Sequence, residues 1–273
     1  PSKTIMNLRQ GHVRLVSQGL LLLPATLPAD CARSFFARVP VVLMTAKTRD
    51  HVDAKAKHKR KSSDSEQKFW DRMAEGYSKQ PIKDVPSYEK KLEVTRRYLR
   101  PDMKLVEIGC GTGGTSILHA PYVESVHATD ISADMIEIAR KKAEEEGAEN
   151  VTFERASVEE LSQEKESVDA VLALSVLHVL EDREGAIRKV HRMLKPEGLF
   201  VTSTVCASDM GATTKFFVNS FFRAGQFFGL LPKFCAFTKT ELEDSFKKNG
   251  FDIEYEWRPS ADKAAFIVAK KKD

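Results

Sequence analysis

From Lys104 onward, short apolar runs alternate with segments whose apolar positions recur every three or four residues. The runs near 104–108, 124–129, 151–155, 168–174 and 198–204 read as strands. The segments near 113–119, 132–146, 157–162, 182–193 and 239–249 read as helices. Such alternation predicts an α/β fold, a Rossmann-like doubly wound parallel sheet with helices on both faces. The last two strands, 252–257 and 264–269, are joined by only Arg258 to Lys263, which permits a hairpin but no parallel crossover. That makes seven strands. Upstream, Phe69, Trp70, Met73 and Tyr77 recur at helical spacing, and Tyr88 to Leu99 forms a second helix before Arg100-Pro101. These two helices form an N-terminal cap on the sheet domain.

The chemistry concentrates where the first strand ends. Leu105-Val106-Glu107-Ile108 empties into Gly109-Cys110-Gly111-Thr112-Gly113-Gly114, and a helix follows. Clustered glycines allow φ > 0 and leave no side chains between backbone and ligand. A helix starting there turns its N–H groups and positive dipole end toward an anionic group. Gly109, Gly111 and Gly114 also satisfy G-x-G-x-x-G, a fingerprint of dinucleotide sites that is weak without context. About twenty residues further on, the second strand ends at Asp130, the distance at which doubly wound folds set a carboxylate on ribose hydroxyls. An ionised Asp accepts only, so it can take both hydroxyl protons of a ribose.

Charge divides the chain. Residues 1–61 carry 12 Lys/Arg against 3 Asp/Glu, and the remaining 31 Lys/Arg stand against 36 Asp/Glu. A basic, disordered extension over 1–61 and a folded domain over 62–273 are therefore expected. The absence of Met at position 1 fits a start at Met44. The tail also reads as an organelle-targeting peptide or a nucleic-acid patch, but a cytoplasmic protein with no specific nucleic acid is the favoured expectation. Its apolar runs at 20–23 and 41–44 are too short to span a bilayer. Cys31, Cys110, Cys206 and Cys235 lack paired short spacings and His partners, so neither a metal site nor a disulfide framework is expected.

Several motifs together resemble a known family. Val106 to Gly113 is similar to the first motif of the class I S-adenosylmethionine (SAM) dependent methyltransferases, with Glu107 the acid two before the first glycine. The likeness continues through Asp130-Ile131-Ser132-Ala133-Asp134-Met135, Ser167 to Val171 and Leu194-Lys195-Pro196-Glu197-Gly198-Leu199. It covers roughly residues 65–270 in the family's order, and it is nearest to small-molecule and lipid members such as those of ubiquinone and menaquinone biosynthesis. The resemblance implies an antiparallel last strand, SAM as cofactor and a set of contacts. The methionine end of SAM would sit on Gly109, Cys110, Gly111 and Gly113, with Glu107 supporting the loop's polar groups. Asp130 would take the ribose, Ile131 and Met135 the adenine face, and Ser157 and Val158 (beside Ala156) its edge. Leu174 would line the crevice at the fourth strand, and Tyr77, with Trp70, would shield the methyl donor. Many relatives have Asp where Ser157 stands.

The acceptor side is less specified. Ala173 to Val179 lacks the Asn/Asp-Pro-Pro-Tyr/Phe pattern of amino-directed relatives. The resemblance to small-molecule and lipid members, which often have a His near this point, makes His178 the candidate general base if the acceptor is a hydroxyl. Imidazole suits that role because it titrates near neutrality. The insertion over about 208–237 holds eight of the sixteen phenylalanines: Phe216, Phe217, Phe221, Phe222, Phe227, Phe228, Phe234 and Phe237. It reads as an apolar lid over a small, apolar or lipid-like acceptor, with weak membrane-surface contact as a further role, or else as a packed helix pair. Two alternatives stand beside methyl transfer: an NAD(P)-dependent oxidoreductase, and a non-enzymatic or RNA-binding module on the same fold.

Overall fold

The computed structural model describes residues 64–211, 225, 231 and 234–273. The expected extension over 1–61 and six of the eight insertion phenylalanines lie outside the described residues. Seven strands form one sheet in the order β3-β2-β1-β4-β5-β7-β6. They are β1 Lys104–Ile108, β2 Ser125–Asp130, β3 Val151–Arg155, β4 Val168–Leu174, β5 Leu194–Thr204, β6 Phe251–Trp257 and β7 Ala265–Lys271. All neighbouring pairs are parallel except β7, which runs antiparallel to both β5 and β6.

The alternation along each strand fills two cores. Val106, Val171, Phe200 and Ile267 face one apolar cluster, while Leu105, Leu172, Val201 and Phe266 face the other. A sheet covered on both faces needs apolar residues at both parities, which is why these strands read as continuous apolar runs.

The helices are α1 (64–78), α2 Val85–Tyr98, α3 Gly114–His119, α4 Ala133–Glu146, α5 Arg183–Met193 and α6 Lys239–Lys248. Local chemistry sets their starts. Asp84 caps α2 by accepting the Ser87 N–H at 3.2 Å, and Pro86 fits the first turn, so this helix begins earlier than the expected Tyr88. Ser132 caps α4, and Thr238 with Glu241 forms a capping box on α6.

Two expectations need correction. The expected helix over 157–162 is a single turn. Ser157 and Glu160 cap each other across it, with Glu160 N to Ser157 Oγ at 3.2 Å and Ser157 N to Glu160 Oε2 at 3.0 Å. Its helical bonds are Glu160 N and Leu161 N onto the Ser157 carbonyl, at 3.1 and 2.9 Å, and Val158 and Leu161 bury into the core. The fifth strand, expected near 198–204, begins four residues earlier, so Leu194–Gly198 belongs to β5. Leu194 pairs with Val168, and the register shifts before Leu199 meets Ala170. Glu197, at φ 61°, lies within that irregularity.

Candidate cofactor-binding and active site

The glycine turn lies at the carboxyl end of β1, next to the end of β4, where neighbouring strand connections depart in opposite directions. Doubly wound sheets bind ligands at such a switch point. The backbone here leaves no choice of residue. Gly113 has φ 75°, and a Cβ on it would stand 2.8 Å from the Ala139 Cβ and 2.9 Å from the Phe153 ring. A Cβ on Gly109, at φ 66°, would overlap the Val176 side chain. The turn is thus closed beneath by α4 and β3 and beside by the segment after β4.

Several of the turn's N–H groups are spent on holding it. Cys110 donates to the Thr129 carbonyl at 2.9 Å, Gly113 to the Cys110 carbonyl at 3.0 Å, and Gly111 to Asp130 Oδ2 at 2.9 Å. The picture of a helix turning free donors toward an anion is therefore modified. The helix behind the turn, α3, has six residues, and the turn's shape owes more to β2 than to α3.

Asp130 ends β2 and is largely buried. Its Oδ1 accepts the Ser132 N–H at 2.9 Å while Oδ2 holds Gly111. Burial raises its pKa, the two backbone N–H bonds oppose that rise, and the Asp71 carboxylate nearby adds to it. Each oxygen keeps a further lone pair, so the group can still accept hydroxyl protons. The two features on which the cofactor reading rests, the turn and the acid, are in direct contact.

Glu107 is wholly buried, and burial pushes its pKa up to about 7. Its partner is the Ser116 hydroxyl of α3, which donates to Oε2. It therefore ties β1 to the helix behind the turn. Cys110 is buried too, and burial holds its thiol well above the usual range.

The other expected residues fall around these. Met135 is buried in the first turn of α4, Ile131 follows Asp130 at the surface of the crevice, and Ala156 donates its N–H to the Asp130 carbonyl at 3.0 Å. Val158 is buried beside them, whereas both polar groups of Ser157 are engaged with Glu160. Leu174 ends β4, and Ser175 after it adopts φ 63°, an uncommon conformation for serine, with its N–H on the Ser203 carbonyl at 2.7 Å. Tyr77 is about half exposed on α1, its ring edge 3.8 Å from where a Gly111 Cβ would be.

His178 lies in the turn after β4, two residues beyond Val176, whose side chain packs against Gly109. Its ring meets Phe234 edge-on at 5.5 Å, and its Nδ1 is buried without a hydrogen-bond partner among the described residues. Burial lowers its pKa to about 4, so the ring is neutral at physiological pH but a weaker base than free imidazole. Beside this loop, a cavity of about 530 Å³ opens between Leu180, Arg183, Phe237, Glu241 and Lys248. Its rim is rich in charged residues and lies apart from Asp130.

Three polar residues escaped the sequence reading: Asp71, Tyr88 and Ser175. Asp71 accepts the Ser132 hydroxyl at 2.6 Å, and the Tyr88 hydroxyl lies 3.3 Å from the Thr115 hydroxyl on α3. Only Asp71 carried a legible signal, a carboxylate set among the aromatics Phe69, Trp70 and Tyr77. Among the described residues, no helix is long and apolar enough to cross a membrane, and no group of three His, Cys, Asp or Glu is placed to hold a metal ion.

Residues 106–202 match the family described as a methyltransferase domain. By fold and by motif, the chain resembles the class I SAM-dependent methyltransferases. Among curated proteins it is similar to an uncharacterized methyltransferase, YcgJ, of Bacillus subtilis, at 33% identity over 37% of this chain and 40% of that protein. It thus matches under half of that relative's own length. Against a ubiquinone biosynthesis O-methyltransferase of Azorhizobium caulinodans the identity is 29%, over 64% of this chain and 74% of the relative. The fold is shared with a crystal structure of YcgJ (TM-score 0.57, 20% identity, 68% of this chain and 99% of that one). It is also shared with a geranyl diphosphate methyltransferase in complex with GPP and sinefungin (TM-score 0.55, 17% identity, 67% of this chain and 77% of that one).

Proposed function

We propose that this protein binds SAM in the crevice between the glycine turn and Asp130 and transfers its methyl group to a small, apolar or lipid-like acceptor. The observation that carries the cofactor half is the hydrogen bond joining Gly111 to Asp130, with acceptor capacity left on the carboxylate and no Cβ above the turn. Bound there, SAM supplies a methyl on a sulfonium, so the leaving group is a neutral thioether and the donor needs no further activation.

The residues then bind, align and exclude water. Asp130 accepts from the ribose hydroxyls, and Ile131, Met135 and Val158 give the adenine an apolar slot. Gly109 and Gly111 let the backbone approach the methionine end, and Tyr77 and Leu174 shield the crevice. Glu107 holds α3 behind the turn. His178, neutral at physiological pH, accepts a proton if the acceptor is a hydroxyl.

The acceptor class rests on the phenylalanine-rich insertion and on Phe234 against His178, and it agrees with the names of similar proteins, a ubiquinone biosynthesis O-methyltransferase and a geranyl diphosphate methyltransferase. The nicotinamide reading has less support, because Glu107 and the antiparallel β7 both fit the methyltransferase pattern.

Isothermal titration of the full chain with S-adenosylhomocysteine (SAH) and, separately, NADH tests the cofactor. Micromolar binding of SAH with none of NADH is expected, and the reverse would replace methyl transfer by oxidoreduction. Incubating the protein with labelled SAM and a lipid extract, followed by mass spectrometry, tests the acceptor. Label found only in the aqueous polar fraction would overturn the apolar class.

A further inference from the structure

Helix α1 is held to the domain with little apolar packing: among its described residues, Ala74 alone is buried. What fixes it is polar, and it converges on one point beside the cofactor crevice. Asp71 Oδ1 accepts the Ser132 hydroxyl at 2.6 Å, and the Asp134 N–H approaches the same oxygen at 3.5 Å. Ser132 is the N-cap of α4, fully buried, and its hydroxyl also accepts from Met135 N at 3.1 Å. Its single hydroxyl proton therefore goes to Asp71.

The same serine donates its backbone N–H to Asp130. One residue thus bridges the carboxylate expected to hold the ribose and a carboxylate of α1. A second strut runs one turn earlier. Gln67 Nε2 reaches Asp71 Oδ2 at 3.4 Å, Arg155 Nη2 donates to Gln67 Oε1 at 2.9 Å, and Arg155 Nε approaches the Ile131 carbonyl at 3.4 Å. Tyr77 lies on the same helix, one turn beyond the buried Ala74, and its ring edge is 3.8 Å from where a Gly111 Cβ would be, so seating α1 through Asp71 also fixes where Tyr77 stands.

We infer that Asp71 is a positioning residue for the cofactor: by taking the Ser132 hydroxyl, it seats α1 on the N-terminus of α4 and so brings Tyr77 over the glycine turn. The inference rests on the cofactor reading above and adds a residue to it. Asp71 need not touch the cofactor. It acts through Ser132, which orients Asp130, and through the helix that carries Tyr77.

The test uses the full chain and its Asp71→Ala and Asp71→Asn variants, with SAH as the ligand. Three quantities are measured: SAH affinity by titration, thermal midpoint without ligand, and hydrogen exchange over 64–78 with and without SAH. Asp71→Ala is expected to weaken SAH at least fivefold and to abolish the ligand-induced protection of 64–78. Its ligand-free midpoint should stay within a degree or two of the parent. Asp71→Asn, which keeps a carbonyl oxygen for Ser132, should fall between the two. Parental affinity and parental protection of 64–78 in Asp71→Ala would overturn the inference. So would a lowered ligand-free midpoint with unchanged affinity, which marks a merely structural contact. If the parent itself binds no SAH, the cofactor reading fails first and takes this one with it.

Discussion

Gly111 donates its backbone N–H to Asp130 Oδ2 at 2.9 Å, so the turn after the first strand and the acid ending the second form one unit. The carboxylate holds the turn in shape and, on the proposed cofactor reading, also offers its remaining lone pairs to the ribose. Replacing it should damage both.

Asp130→Ala is therefore expected to weaken SAH binding at least tenfold, about 1.4 kcal/mol or more. Titration calorimetry at neutral pH measures it. An unchanged dissociation constant would falsify the ribose assignment.

Gly113→Ala places a Cβ where φ is 75° and where Ala139 and Phe153 leave less than 3 Å. A left-handed non-glycine residue and an overpacked contact each cost about 1–3 kcal/mol. Urea unfolding should show a loss of that order, whereas Gly114→Ala, with open space at its Cβ, should be tolerated.

Glu107 makes a prediction about pH. Burial raises its pKa from 4.5 to about 7 in the folded protein. The folded state therefore holds this proton more tightly than the unfolded chain does. Stability from this group is fully present below about pH 4.5 and is lost as pH rises through 7. Glu107→Gln keeps an acceptor for Ser116 and removes the titration. Its stability relative to the parent should climb between pH 5 and 8 in denaturant titrations, and a flat difference would show that the buried acid does not titrate there.

His178 runs the other way. With its pKa lowered from 6.5 to about 4, the stability it contributes is present above pH 6.5 and lost as pH falls through 4. Titration of the ring proton by NMR should give a midpoint well below 5.5. A midpoint near 6.5 would mean that solvent reaches the ring, and would make it a stronger base than the buried geometry allows.

Much of this could be read along the chain. The strands were legible because both parities are apolar, and the turn because Gly109, Gly111 and Gly113 all stand at positive φ. Antiparallel β7 followed from the short link between Arg258 and Lys263 together with the family likeness. What escaped depends on partners distant in sequence. The bond between Asp71 and Ser132 spans 61 positions, and no local pattern announces it. Whether Leu194 to Gly198 continues a strand is decided by Val168 across the sheet, not by its own proline and glycine. The burial of Glu107 and His178, which sets their protonation, is likewise a property of the packed molecule. The turn at 157–160 shows the converse, a good local capping signal that serves one turn rather than a helix.

The place of β7 between β5 and β6 has a consequence for synthesis. The segment 265–271 leaves the ribosome after both strands it pairs with, yet among the described residues it is the sole partner of β6 and one of two partners of β5. Until it emerges, β5 offers a bare apolar border, the kind of surface on which nascent chains stick to one another. Chaperone cover would be needed longest at that border, and trimming those residues should yield aggregates rather than a smaller working protein.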